Sequence, residues 1–119
     1  MFPSHDPGGG VNTSLSSSFP TSQWVHIAVE RYNGTITVYK NGTSIKTVDA
    51  STKNYTWTTL TIGLYWSSNY CMNGYLNSFR ISNSARFQGN FTPTTQRLIP
   101  DANTLLLVHG AKSISDAAY

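Results

Sequence analysis

The stretch Trp24 to Ala50, WVHIAVERYNGTITVYKNGTSIKTVDA, consists of three alternating runs separated by Asn33-Gly34 and Asn41-Gly42. Asn-Gly accepts positive φ at both central turn positions, so each dipeptide signals a two-residue type I′ hairpin loop. Two hairpins in succession predict a three-stranded antiparallel meander whose register follows from the turns. The first loop sets Tyr32 against Thr35, Val29 against Val38 and Arg31 against Ile36. The second sets Lys40 against Thr43 and, with no irregularity, Val38 against Ile45. Side chains alternate along a strand, so Ile27, Val29, Ile36, Val38 and Ile45 are expected to face the core. Glu30, Thr37 and Lys46 then form a row on the other face, near Tyr32, Thr35 and Tyr39, as a packing or solvated surface.

The composition agrees with an all-β module. Charged residues make up only 11% of the 119-residue chain, Glu30 is its one glutamate, and seven Tyr and three Trp are present. A chain of this length buries roughly 65% of its unfolded surface, which supports one domain-sized core. The net charge of +3 comes from basic residues scattered singly, with no basic run, so nucleic acid is not expected as a partner. The single cysteine, Cys71, has no intrachain partner for a disulfide and reads as a small half-buried residue. No secretory apolar segment opens the chain and no run approaches the ~18 apolar residues of a membrane span, so membrane insertion is not expected. Asn-x-Ser/Thr triplets occur at Asn12, Asn33, Asn41, Asn54 and Asn90; in a chain this rich in Asn and Thr they read as compositional, and two sit in the hairpin turns.

Around the meander the chain divides into a Gly-, Ser- and Pro-rich arm over residues 1–22 and a β-domain over residues 23–119. LTIGLY, Leu60 to Tyr65, alternates as a fourth strand. GYLNSFRIS, Gly74 to Ser82, reads as a fifth, with Tyr75, Phe79 and Ile81 on one face. Asn83 to Pro100 is irregular and anchored by Phe87, Phe91, Leu98 and Ile99. TLLLVH, Thr104 to His109, is a continuous apolar run expected to be buried on both faces.

Several of these segments match a known pattern. WVHIAV at Trp24 to Val29 resembles the W-x-H-x-A-V entry of laminin-G-like, concanavalin-A-like jelly rolls. TVYKNG at Thr37 to Gly42 resembles that family's strand and Asn-Gly turn, and LTIG at Leu60 to Gly63 its next strand. NGYLNSFRISNSARFQGNFTP, Asn73 to Pro93, is the most specific match. It resembles a signature of such modules in bacteriophage structural proteins, with Asn77-Ser78 where the signature tends to carry two acidic residues. The resemblance implies an antiparallel jelly-roll-like β-sandwich, compact or truncated, because the family usually has further strands before the Trp24 segment. TLLLVHG would then return as a replacement strand, or a neighbouring subunit would cover the exposed edge.

Chemistry on this frame is sparse. Glycoside hydrolysis needs two carboxylates roughly 5–9.5 Å apart, and the inventory is Asp6, Glu30, Asp49, Asp101 and Asp116, with no cluster. His5, His26 and His109 are isolated from any nucleophile motif, and His26 reads as an interior or cross-strand residue. No enzyme, no metal site and no cofactor are therefore expected; calcium alone would want six to eight oxygen ligands. Glycan binding is the stronger candidate. Aromatic faces stack on sugars while Asn and Ser bind hydroxyls, and Tyr65, Trp66, Asn69 and Tyr70 bring both around one loop. Phe2, Leu15 and Phe19 are the apolar residues through which the arm would make an assembly contact. The resemblance implies a virion-surface protein, a capsid decoration or tail-fibre component, in contact with other virion proteins, forming a homo-oligomer and adhering to host-surface glycan. The contrasting expectation is a free-standing extracellular carbohydrate-binding lectin domain.

Overall fold

The computed structural model describes residues 19–56, 59–63 and 72–109. Its elements are β1 (Ile27–Tyr32), β2 (Thr35–Lys40), β3 (Thr43–Asp49), β4 (Phe79–Ser82) and β5 (Thr104–Val108), with no helix among the described residues. Two antiparallel sheets result, one in the order β1-β2-β3 and one pairing β4 with β5. The chain forms two compact units, residues 1–55 with 84–95 and residues 56–83 with 96–119.

The first unit holds the meander. Asn33 and Gly34 have φ of 47° and 76°, and Asn41 and Gly42 of 50° and 82°, the left-handed backbone that both type I′ turns require. The first hairpin has the register set by its turn: Tyr32 faces Thr35, Arg31 faces Ile36 and Val29 faces Val38. The second hairpin starts as expected, with Lys40 opposite Thr43 and Tyr39 opposite Ser44, but the register then shifts between Val38 and Tyr39. Ile45 is the extra residue of a bulge, so Val38 faces Lys46 rather than Ile45, and Thr37 faces Thr47. The row across the sheet is therefore Glu30, Thr37 and Thr47, with Lys46 displaced from it.

Burial is divided between the two faces of this sheet: Ile36 and Ile45, on the face expected to be core, are half-buried. Val38 is buried, yet its neighbours Ile27 and Val29 are 44% and 68% exposed. On the opposite face Tyr39 is buried and Glu30 is only 8% exposed. The segment Arg86 to Pro93 lies against that face: the Phe91 amide donates to the Gly42 carbonyl at 2.8 Å, and the Ser44 amide donates to the Asn90 side chain at 2.9 Å. A Cβ added at Gly42 would collide with the Phe91 carbonyl oxygen, so the turn also supplies the space the covering segment occupies. Phe87 and Phe91 stack on each other at 3.6 Å and meet His26 and Tyr39 edge-on at 5.3 to 6.4 Å. Edge-to-face contacts of this kind are the favoured geometry for aromatic rings.

The second unit departs further from the strand pattern. Residues 60–63, the described part of the expected fourth strand, form no strand. Gly63 has a φ of 73° and its carbonyl accepts from the Met72 amide at 2.8 Å, so the chain turns where a strand would continue. The fifth run is strand only from Phe79, because Ser78 has a φ of 55° and breaks the extended backbone before it. Tyr75 stands out at 88% exposure instead of lying on a strand face with Phe79 and Ile81. TLLLV does form a strand, paired with β4, but it is not buried on both faces. Leu107 is 2% exposed, whereas Leu105 is 66% exposed and sits at a register shift between its neighbours' pairings. Ile99, expected to anchor the irregular stretch, is likewise exposed.

Candidate functional site

Two charged neighbours on β1 explain how the first unit is held. Successive residues point to opposite faces of a strand, so Glu30 and Arg31 address different surroundings. Glu30 turns its carboxylate to the covering segment, where Oε2 accepts from the amides of Arg86 at 2.6 Å and Phe87 at 2.7 Å, and Oε1 from Gln88 at 2.8 Å. A carboxylate accepting three backbone N–H groups forms charge-assisted bonds, roughly twice as strong as neutral ones. Arg31 uses one guanidinium nitrogen to donate to the carbonyls of Ala50 at 3.0 Å and Lys53 at 2.8 Å, with its plane's centre 5.7 Å from the Tyr55 ring. The two charges clasp separate loops rather than each other.

The other described carboxylates are spent on turns as well. Asp49 accepts from the Ser51 amide at 2.9 Å, and this bond, reinforced by the Ser51 side chain, holds its carboxyl below the usual aspartate value. Asp101 accepts from the Asn103 amide and the Thr104 hydroxyl, both at 3.0 Å, forming the turn that launches β5. Asp6 and Asp116 lie outside the described residues. Among the described residues no three His, Cys, Asp or Glu side chains gather into a group that would hold a metal ion, and no helix is long and apolar enough to cross a membrane.

Two of the Asn-x-Ser/Thr asparagines have structural work of their own. The Asn41 amide oxygen accepts from the His26 backbone at 2.9 Å, and that of Asn90 from Ser44. His26 is a half-buried residue against the Phe87 and Phe91 rings, the interior position expected of it. In the second unit the Ser78 hydroxyl lies 3.4 Å from Nδ1 of the buried His109.

Of the residues expected to take a glycan, Tyr65, Trp66, Asn69 and Tyr70 lie outside the described residues, as does Cys71. The base of their loop is described: Gly63 and Met72, joined by the 2.8 Å bond, bracket it. Met72, Leu76 and Tyr75 are exposed just beyond that base. Tyr75 is a candidate that the alternation of GYLNSFRIS concealed. The alternation fails there because Ser78, with a φ of 55°, delays the strand until Phe79. Of the arm residues, Phe2 and Leu15 lie outside the described residues, and Phe19 is exposed with the Lys40 ammonium 5.7 Å from its ring centre, a contact within its own chain.

A laminin-G family model of the concanavalin A-like lectin/glucanases superfamily matches residues 2–90. The chain belongs to that family. No curated protein and no solved structure matches it. The fold class of this laminin-G-like domain is accordingly the antiparallel jelly-roll β-sandwich of its superfamily. Its superfamily comprises lectins and glucanases, so carbohydrate is the ligand class to which the family points. The ARFQGNFTP portion of the sequence signature, Ala85 to Pro93, is the covering segment itself. Its specificity is structural: Arg86 to Gln88 offer three amides to Glu30, Phe87 and Phe91 stack, and Asn90 and Phe91 bind the second hairpin.

Proposed function

We propose that this laminin-G-like domain is a non-enzymatic adhesion module of a bacteriophage virion, a capsid decoration or tail-fibre component that binds host-surface glycan. The observation that carries the non-enzymatic part is the commitment of Glu30. A glycosidase needs one carboxyl to protonate the leaving oxygen and a second as nucleophile or base across the same bond. The chain's only glutamate has both oxygens occupied by backbone amides, and Asp49 and Asp101 are each tied into a local turn. That arrangement favours a carboxylate used for folding over one used for proton transfer.

Glycan binding is supported by the family and by the aromatic, amide-rich sequence between Tyr65 and Tyr75. An exposed ring offers a sugar an apolar face, and the neighbouring Asn and Ser side chains offer hydroxyl partners. The virion placement rests on the likeness of Asn73 to Pro93 to the signature of phage structural modules. Glycan-array binding by the full chain, lost on Trp66→Ala or Tyr75→Ala with the fold intact, is the expected result; a folded chain that retains no glycan sinks the adhesion reading. For the placement, co-sedimentation with purified virions followed by electron microscopy is decisive. A chain that binds glycan but never associates with capsid or tail is a free-standing lectin domain instead.

A further inference from the structure

Asn-Gly occurs three times in the chain, at Asn33-Gly34, Asn41-Gly42 and Asn73-Gly74. The dipeptide carries a reaction as well as a turn preference. The glycine amide nitrogen attacks the asparagine side-chain carbonyl carbon, and glycine has no Cβ to crowd that approach. The new C–N bond closes a five-membered succinimide and expels the side-chain nitrogen as ammonia. Water then opens the ring at either carbonyl, leaving an aspartyl residue or an isoaspartyl one whose backbone runs through the former side chain. Closure needs the asparagine backbone to rotate until the next nitrogen meets Cγ. A turn held on both sides resists that rotation.

Two of the three dipeptides are held in this way. Asn33 and Gly34 sit at left-handed positions between paired strands, with φ of 47° and 76°. The Gly34 carbonyl accepts from the Ala50 amide at 2.7 Å, and Ser51 packs close against the glycine Cα. Asn41 and Gly42 are tied more fully. The Asn41 amide donates to the His26 carbonyl at 2.8 Å, and the Gly42 carbonyl accepts from the Phe91 amide at 2.8 Å. The reacting side chain of Asn41 is itself engaged, its oxygen accepting from the His26 amide at 2.9 Å.

Asn73-Gly74 differs at each point. Both residues are exposed, and neither has a positive φ. A Cβ at Gly74 would meet nothing within 4 Å. The Met72 amide is bound to the Gly63 carbonyl just before Asn73, but strand begins again only at Phe79. The residues that follow Asn73 are therefore able to rotate without breaking a ladder.

We propose that Asn73 is a site of spontaneous deamidation, converted through a succinimide to aspartyl and isoaspartyl products while the domain stays folded. Residues 54–79 contain no Asp, Glu, Lys, Arg or His. The product therefore places the first charge of that stretch two residues from the exposed Tyr75 ring.

The test incubates the full chain at mildly alkaline pH, once folded and once in denaturant. Peptide mass mapping reads deamidation at each asparagine, with electron-transfer fragmentation to separate isoaspartyl from aspartyl product. In the folded chain Asn73 is expected to convert first. Asn33 and Asn41 wait on local opening of their hairpins and should convert about tenfold more slowly or less. In denaturant the three share one dipeptide sequence, and their rates should converge. Asn73→Gln should remove the fast phase and its acidic ion-exchange peak with an unchanged circular dichroism spectrum. Conversion of Asn33 or Asn41 as fast as Asn73 in the folded chain overturns the proposal. So does an Asn73 that stays intact in the folded chain while it converts in denaturant, or a fast phase that persists in Asn73→Gln.

Discussion

Replacing Glu30 by alanine removes the acceptor shared by the Arg86, Phe87 and Gln88 amides. A buried donor left unsatisfied costs about 1–3 kcal/mol; Arg86 and Phe87 are half-buried and Gln88 is exposed, so Glu30→Ala should lower unfolding stability by about 2 kcal/mol in a denaturant titration. Glu30→Gln should cost less. Its carbonyl can keep the two bonds now made by Oε2, while its amide group opposes only the Gln88 N–H. A smaller loss for Ala than for Gln would contradict the clasp. Asp49 supplies a pH signature. Its carboxyl is held below the usual value chiefly by the Ser51 amide, so the charged form is favoured in the folded state. The contribution is therefore fully present above the unfolded aspartate value and is lost as pH falls through the lower folded value. An NMR titration of the Asp49 carboxyl carbon should give a midpoint below that of a model aspartate; an unshifted midpoint would remove Ser51 as its partner. Neither role was legible from residue type. A lone glutamate on a polar strand face reads as solvated, and its partners are 56 to 58 residues away in sequence.

Hairpin turns were the most legible elements, because Asn-Gly acts within four residues and needs no tertiary partner. Gly42 adds a second demand that the dipeptide does not announce, since a Cβ there would collide with the Phe91 carbonyl. Gly42→Ala combines a strained positive φ with that overlap and should destabilise by about 3 kcal/mol or more, measured by thermal or chemical unfolding. A neutral outcome would mean that the covering segment does not seat on the turn. The bulge at Ile45 was not legible, because its sequence alternates acceptably in either register; the choice lies with Asn90 at Ser44 and with the covered face. For β5 a continuous apolar run predicts burial on both faces, and the pairing with β4 separates its residues instead. Leu107→Ala should cost about 2–5 kcal/mol, whereas Leu105→Ala, on an exposed bulge, should stay within about 0.5 kcal/mol. Equal losses at the two positions would refute the assigned register.

For the molecule as a whole, the order of strands and turns placed the chain in its class, and the match over residues 2–90 places it in the concanavalin A-like lectin/glucanases superfamily. The candidate site was less legible. Short aromatic and amide side chains give no spacing rule comparable to a metal or nucleophile motif, and Tyr75 is hidden by an alternation that the backbone break at Ser78 overrides. What separates a lectin from a glucanase on a shared fold is the state of its carboxylates. Here those described are bound to backbone amides. The most direct measurement is therefore mass spectrometry of a defined oligosaccharide panel after prolonged incubation with the full chain, with retention on immobilised chain read in parallel. Retained glycans are expected to be recovered at unchanged mass, from wild type and Glu30→Gln alike. Shortened glycans that disappear with Glu30→Gln would contradict it.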